Sequence, residues 1–306
     1  MSRAPIALFV YRRLQHLQQT IASLQADPLA RESELFVFSD AAKQPQHAAD
    51  VAEVRSYVAT ISGFAAVHVV NRADNFGLAR SIVSGADQLC TSHGRVIVVE
   101  DDLIVSPMFL SYMNGALDRY RDDERVMAVS AYMYPVRRPD DLPNLFFCRI
   151  PTSWGWATWA RAWSKFQPDA NVLAAQLAGS GQVEAFDMDG NYPYFESLQA
   201  QARGDLDVWG VRWYASVFLQ GGLCLYPARA LVHNAGMDGS GVHCGRSTAY
   251  AVDLGRATMA PFPDEIIEST AAVRQIVDFF RSLREPLPKR LLRGALRRLA
   301  PFRQRA

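Results

Sequence analysis

Short apolar runs alternate, over the first 130 or so residues, with segments whose apolar positions fall on a single helical face. Ile6-Ala7-Leu8-Phe9-Val10 reads as a strand. Leu14, Leu17, Ile21 and Leu24 follow at i, i+3, i+7 and i+10, which predicts a helix with one buried face. Leu35-Phe36-Val37-Phe38 is a second strand ending in Ser39-Asp40, so strand, helix and strand form a βαβ unit with a right-handed crossover. A helix over about 47–62, the strand Val67-His68-Val69-Val70 and a helix carrying Leu78, Ile82, Ala86 and Leu89 come next. They lead to Arg95-Val96-Ile97-Val98-Val99-Glu100-Asp101-Asp102, four β-branched residues set between Gly94 and three carboxylates. That pattern predicts a fully buried parallel strand that ends in acid.

Pro107 then opens a helix through Met108, Tyr112, Ala116 and Tyr120, and Val126-Met127-Ala128-Val129-Ser130 is a further strand. Residues 135–144, rich in Pro, Asp and Arg, read as a loop, and 179–194 as a surface loop. All six tryptophans fall between Trp154 and Trp213. For Trp154 and Trp156, core packing and a platform for a sugar ring are both open readings, whereas Trp159 and Trp163 read as core. A helix after Asp207 runs to about Leu219 and stops at Gly221-Gly222; Leu223-Cys224-Leu225-Tyr226-Pro227 is the last strand expected. The segment 234–245, with Gly236, Gly239, Gly241 and Gly245, suits a lid over a ligand.

The order of elements predicts an α/β fold in which the crevice outside the carboxyl ends of parallel strands binds a ligand. Glu100, Asp101 and Asp102 would stand at its mouth. Their mutual repulsion is offset by a cation or by hydroxyl and amide donors, unless the triplet is simply a solvated acidic turn. Neither GxGxxG nor GxxxxGK[ST] occurs, which excludes the dinucleotide and P-loop mechanisms. Three regions are expected: 1–134 as a ligand-binding half, 135–255 as a second half with the Trp-rich segment and the Gly-rich loop, and 256–306 as a helical extension with a basic tail.

At 306 residues, 49% hydrophobic and 21% charged, the chain can bury a large core. No run of 18 apolar residues and no signal-peptide pattern are seen, so a soluble cytoplasmic protein is expected. Cys90, Cys148, Cys224 and Cys244 form no CxxC pair and read as reduced structural thiols. The tail from Arg281 holds basic residues with Glu285 alone against them, about +8, leaving the body at about −7. Leu292, Leu296 and Leu299 opposite Arg290, Arg293 and Arg297 make an amphipathic pattern. It suits peripheral contact with an anionic membrane, or a solvated tail; the acidic body argues against nucleic acid.

Val98-Val99-Glu100-Asp101-Asp102-Leu103 with Ser106-Pro107, together with Arg72-Ala73-Asp74-Asn75-Phe76-Gly77-Leu78-Ala79, Trp154-Gly155-Trp156, Asp207-Val208-Trp209 before Arg212 and the 239–245 loop, resembles the GT-A nucleotide-sugar glycosyltransferases. The resemblance covers roughly residues 5–250 and points to the group around N-acetylglucosaminyltransferase I and its bacterial relatives. It implies a Rossmann-like, mostly parallel sheet flanked by helices, with an acceptor-side C-terminal subdomain. By that resemblance Asp102 would hold a divalent cation, Mn²⁺ or Mg²⁺, that bridges the donor's phosphates; Asp101 would face the ribose or base, and Glu100 the sugar. Asp207, or else Asp205, would be the base for the acceptor hydroxyl, although Val208 stands where the relatives carry an acid, and a helix cap is the other role open to Asp207.

Arg12, Asp40, Arg72 and Asn75 are further donor-binding candidates, with an exposed helix start for Arg12 and a cap for Asn75 as the alternatives. Trp154, Trp156 and Trp209 are candidates for the acceptor or sugar platform, and His243 for the cation or diphosphate, or else for plain solvation. The implied activity is transfer of a hexosyl or N-acetylhexosaminyl group from a nucleoside-diphosphate sugar to a glycan or lipid-linked acceptor in surface polysaccharide biosynthesis, with inversion. A sugar nucleotidyltransferase and a non-catalytic glycan-binding protein are the rivals; the first needs a Gly-rich phosphate loop that residues 6–16 lack.

Overall fold

The computed structural model describes residues 3–239, 247–254 and 260–283. In chain order the elements are β1 (Ile6–Val10), α1 (Leu14–Gln25), β2 (Glu34–Ser39), α2 (Ala48–Val58), β3 (Ala66–Asn71), α3 (Gly77–His93), β4 (Arg95–Glu100), β5 (Leu103–Val105), α4 (Phe109–Arg119), β6 (Val126–Ser130) and β7 (Leu145–Cys148). Next come β8 (Trp156–Trp159), α5 (Ala160–Trp163), α6 (Ala170–Ser180), α7 (Val183–Phe186), α8 (Tyr194–Ala202), α9 (Trp209–Leu219), β9 (Leu223–Pro227), β10 (Val232–Asn234) and α10 (Thr270–Leu283).

One sheet gathers strands from the whole length in the order β3-β2-β1-β4-β8-β6-β9-β7, with helices flanking it. β1, β2, β3 and β4 are mutually parallel, β6 and β9 run with them, and β8 and β7 run against their neighbours. This is the mixed, mostly parallel α/β architecture that the alternation of strands and helices predicts. β1 lies wholly in the core, and the interior of β4, from Val96 to Val99, is fully buried, as a strand covered on both faces must be. A small second sheet pairs β5 with β10 antiparallel, Asn234 opposite Leu103.

The structure departs from the sequence reading in several places. β9 is followed by a further strand, β10, too short to show a period. The helix expected over 47–62 stops at Val58. Residues 179–194 do not form a mere surface loop: they include α7, and Phe186, Met188 and Asn191 are buried, Asn191 donating to the carbonyls of Met188 and Asp189. Trp159 and Trp163 are core residues, their indole N–H groups bonded to the Leu117 carbonyl at 2.9 Å and Asp87 Oδ1 at 2.6 Å. Cys90, Cys148 and Cys224 are buried free thiols, and burial pushes the Cys90 and Cys148 thiols up to about 12. Among the described residues no helix is long and apolar enough to cross a membrane.

Asp27 ties the first βαβ unit to α4. It is 1% exposed and accepts from Leu29 N at 2.9 Å and from Leu110 N at 2.8 Å, thereby capping the turn after α1 and the start of α4, which has no side-chain cap of its own. Asp27→Ala would leave two interior N–H groups unpaired. We expect a loss of about 2–4 kcal/mol, read in urea as a lower midpoint with an unchanged slope.

A candidate active site at the carboxyl ends of the central strands

The chain runs from β1 outward to β2 and β3, then crosses back through α3 to β4 on the other side of β1. The point where the direction reverses therefore lies between β1 and β4, and a crevice at that point is where open α/β sheets take ligands. Tyr11, Arg12 and Arg13 leave β1 there; Glu100, Asp101 and Asp102 leave β4, whose ladder to β1 ends at Phe9 opposite Glu100. The sequence-predicted strand end and the topological switch coincide.

The acidic turn is not solvated. Asp101 is 5% and Asp102 9% exposed. Arg13 bridges them: its Nη2 donates to Asp101 Oδ1 at 2.5 Å and to Asp102 Oδ2 at 2.8 Å. Asp101 Oδ2 accepts from Tyr11 N at 3.3 Å, and its carbonyl accepts from Thr20 Oγ1 at 2.9 Å. Ala235 N donates to the Asp102 carbonyl at 2.8 Å, so the segment after β10 lies on the turn. Gly236 presses closest: a Cβ there would fall 2.0 Å from Asp102 Oδ2. Asp102 Oδ1 is buried and has no hydrogen-bond partner.

The electrostatics follow from this packing. Burial works against the Arg13 charge, but the two aspartates more than offset it and raise its pKa. Burial raises the Asp101 pKa, with Arg13 opposing. Burial, then the charges of Asp102 and Asp101, raise Glu100 well above the carboxylate range.

Of the two arginines after β1, sequence reasoning singled out Arg12, as a donor-binding candidate, and passed over Arg13, which the structure places on the carboxylates. Arg12 stands 3.6 Å from Asp50 of α2 in an exposed pair of little energetic weight. No signal in a tandem Arg-Arg distinguishes the two; the angle at which α1 leaves β1 does.

Along the same edge of the sheet, Asp40 ends β2 and is 5% exposed. Its Oδ1 accepts from Phe76 N at 2.8 Å and its Oδ2 from Gly77 N at 2.9 Å, so Asp40 caps α3. Asn75 is not that cap; its Nδ2 donates to the Ala41 carbonyl at 2.7 Å. Arg72, 8% exposed, lies 4.0 Å over the Phe76 ring and donates to Ser84 Oγ at 2.9 Å, while its Nε and Nη1 are buried without partners. Burial lowers its pKa, with Asp40 opposing. Arg55, which the sequence did not single out, donates to the Arg72 carbonyl at 2.8 Å and to the Ser39 and Asp40 carbonyls at 3.3 Å, stapling the ends of β2 and β3. Asp40, Arg72 and Asn75 are thus brought together at the same end of the sheet as the acidic turn, with β1 between.

The tryptophan platform needs correction. Trp156 is fully buried and Trp209 4% exposed; their rings stack at 5.0 Å in a cluster with Trp163 and Trp213. Rings without an open face cannot carry a sugar. Trp154 is partly buried, edge-on to Tyr132 at 4.6 Å and Tyr250 at 5.9 Å.

Asp207 and Asp205 are exposed. Asp207 stands 3.4 Å from Arg212 and Asp205 2.9 Å from Arg203; no hydrogen bond or ion pair joins either to the acidic turn, and neither caps α9. With Arg80, Ser84, Phe166, Pro168 and Arg212, Asp207 lines a pocket of about 350 Å³ against α3. His243, Cys244 and the basic amphipathic tail lie outside the described residues.

Among the described residues no group of three or more His, Cys, Asp or Glu side chains is arranged to hold a metal. The turn nonetheless fits a cation of the Mg²⁺ or Mn²⁺ kind, which takes few protein carboxylates and completes its shell with phosphate and water, because Asp102 Oδ1 is an orphaned acceptor.

No protein-family model matches the chain, and no curated protein matches it. Among solved structures it is similar to a mannosyltransferase from Pyrobaculum calidifontis in complex with GDP-Man and Mn²⁺, at 12% identity over 71% of this chain and 74% of that one, TM-score 0.38. It is also similar to S. aureus TarS 1–349, at 12% identity over 76% of this chain and 60% of that one, TM-score 0.40. A third is glucosyl-3-phosphoglycerate synthase from Mycobacterium tuberculosis with Mn²⁺, uridine diphosphate and glucosyl-3-phosphoglycerate, at 17% identity over 58% and 66%, TM-score 0.36. Likeness at this level carries no functional assignment, which rests on the site itself.

The raised Glu100 pKa has a consequence for stability. A carboxyl whose folded pKa exceeds its unfolded value costs nothing below the unfolded value, about 4.3, and progressively more as pH rises above it. Glu100→Gln, measured with chelator present, should therefore raise the thermal midpoint at pH 7.5, and the gain should vanish towards pH 4. A pH-independent difference would show that Glu100 does not bear this cost.

Proposed function

We propose that the chain is a glycosyltransferase that takes a nucleoside-diphosphate sugar, depends on a divalent cation and transfers with inversion to a glycan or lipid-linked acceptor. The observation that carries the reading is the buried acidic turn at the switch point of the sheet, with one Asp102 oxygen left unpartnered beside a row of buried polar residues. A solvated acidic turn would have no reason to be buried, bridged and packed on by glycine.

In this reading Asp102 Oδ1 would hold the cation, and Asp101, fixed by Arg13 and Tyr11 N, would face the ribose or base of the donor. When bound, the ion supplies Lewis acidity to the leaving diphosphate. Asp40 and the free donors of Arg72 offer an acceptor and donor pair to the base. Asp207 takes the proton of the acceptor hydroxyl as its oxygen bonds to the anomeric carbon and the bond from that carbon to the diphosphate breaks. The exposed pair with Arg212, 3.4 Å apart, is easily given up for substrate. Hexosyl or N-acetylhexosaminyl transfer, a role in surface polysaccharide biosynthesis and tail-mediated contact with a membrane belong to the same proposal.

A thermal-shift series of nucleoside diphosphates and their sugars, with and without Mn²⁺, tests the site. The wild type should gain midpoint with one nucleotide family only when the cation is present, and Asp102→Ala should fold and lose the gain. No shift with any nucleotide would favour a glycan-binding protein. Asp207→Asn should retain the donor-dependent shift while turnover falls by about 10²–10⁴-fold; undiminished turnover would move the base elsewhere.

A further inference from the structure

Arg13 does more than neutralise the turn. Its Nη2 spends its protons on Asp101 Oδ1 and Asp102 Oδ2, and its Nε and Nη1 have no hydrogen-bond partner among the described residues. Gly236 closes the same side of Asp102, since a Cβ there would lie 2.0 Å from Oδ2 and 2.8 Å from Arg13 Nη1. Oδ2 is thus sealed by a guanidinium and a backbone, and Oδ1, also buried, is the oxygen left without a partner. A carboxylate held in this way cannot chelate an ion through both oxygens. The ion it takes also feels a fixed positive charge one hydrogen bond away on the other oxygen.

We infer that Arg13 is a positioning residue that limits Asp102 to a single oxygen ligand and weakens the turn's hold on a bare divalent cation, so that the ion enters as its complex with the diphosphate. The inference rests on the cation-site reading given above. A diphosphate brings the negative charge that the turn has surrendered to Arg13, and its oxygens supply ligands that the described residues do not. The unpaired Nε and Nη1 donors suit those same phosphate oxygens, which a planar guanidinium recognises well. Free chain would then hold little metal at cation levels that saturate the donor complex.

The test is Mn²⁺ titration of the full chain, followed by the electron paramagnetic resonance signal of the free ion, with and without ADP, CDP, GDP or UDP. Wild type should bind bare Mn²⁺ weakly and gain at least tenfold in affinity with the matching diphosphate. Arg13→Gln, which removes the charge and keeps a donor, should bind bare Mn²⁺ at least tenfold more tightly than wild type and gain less from the diphosphate. If the uncompensated carboxylates prevent that variant from folding, Arg13→Lys serves instead: one ammonium cannot hold both carboxylates in a fixed fork, so bare Mn²⁺ should bind several-fold more tightly. Equal or weaker bare-ion affinity in the folded variant overturns the inference. A variant that gains affinity for bare Mn²⁺ while no diphosphate affects the wild type supports the role of Arg13 and counts against the nucleotide-sugar reading, so the two fail separately.

Discussion

The rest of the site depends on one interaction, the guanidinium of Arg13 shared between two interior carboxylates. A strand buried on both faces delivers its carboxyl end into a low-dielectric crevice, and acid placed there is costly unless it is paired. Arg13 supplies the pairing from just past the end of β1, and so couples the two strands that flank the switch point beyond the end of their ladder. α1 reinforces the junction twice more: Thr20 Oγ1 donates to the Asp101 carbonyl at 2.9 Å, and Ser23 Oγ accepts from Val105 N at 3.0 Å. Charge and backbone thus fix the turn from one helix, which keeps it in shape whether or not a ligand is present.

The neighbouring strand ends are finished on the same principle. Asp40 satisfies the first N–H groups of α3 from the end of β2, Arg55 gathers the last carbonyls of β2 and β3, and Arg72 is held between Phe76 and Ser84. Each of these side chains joins two elements that are distant in sequence. What results is a rim of buried polar groups with few spare valences, and the spare ones are Asp102 Oδ1 and two nitrogens of Arg72. A preorganised rim of this kind loses little entropy on binding, which is why its unpartnered atoms are more informative than the exposed charges elsewhere on the surface.

The first half of the fold was legible because its signals are local. Gly94, four β-branched residues and an acidic end define β4, and the i, i+3, i+7 spacing defines α1. Strands whose definition is tertiary were not: β8 is four residues of a Trp-rich, Gly-broken segment, and it becomes a strand only because β4 and β6 offer it edges. The acidic turn was likewise legible as the end of a buried strand, since strand and acid adjoin in sequence. Arg13 was not, because choosing between adjacent arginines requires knowing how the chain turns into α1. Trp156 and Trp209 were misread as a platform for a related reason: composition shows that aromatic rings cluster, whereas only packing shows that they cluster on one another, 5.0 Å apart.

The antiparallel insertion of β8 also determines what reaches the end of the sheet where the turn lies. Val98 pairs with Trp156, so the residues just before Trp156 reach the same end of the sheet as Glu100. The start of α9 rests on them, a Cβ at Gly210 lying 3.8 Å from Ser153, and Trp209 stacks on Trp156 below. The buried tryptophans are therefore a footing for α9 rather than an open surface, and they fix the start of that helix two residues after Asp207. Asp207 itself is exposed and pairs loosely with Arg212 at 3.4 Å, an ion pair of little energetic weight. Position at this end of the sheet is set by apolar packing, and the rim of buried polar residues it supports keeps Asp102 Oδ1 and two nitrogens of Arg72 without partners.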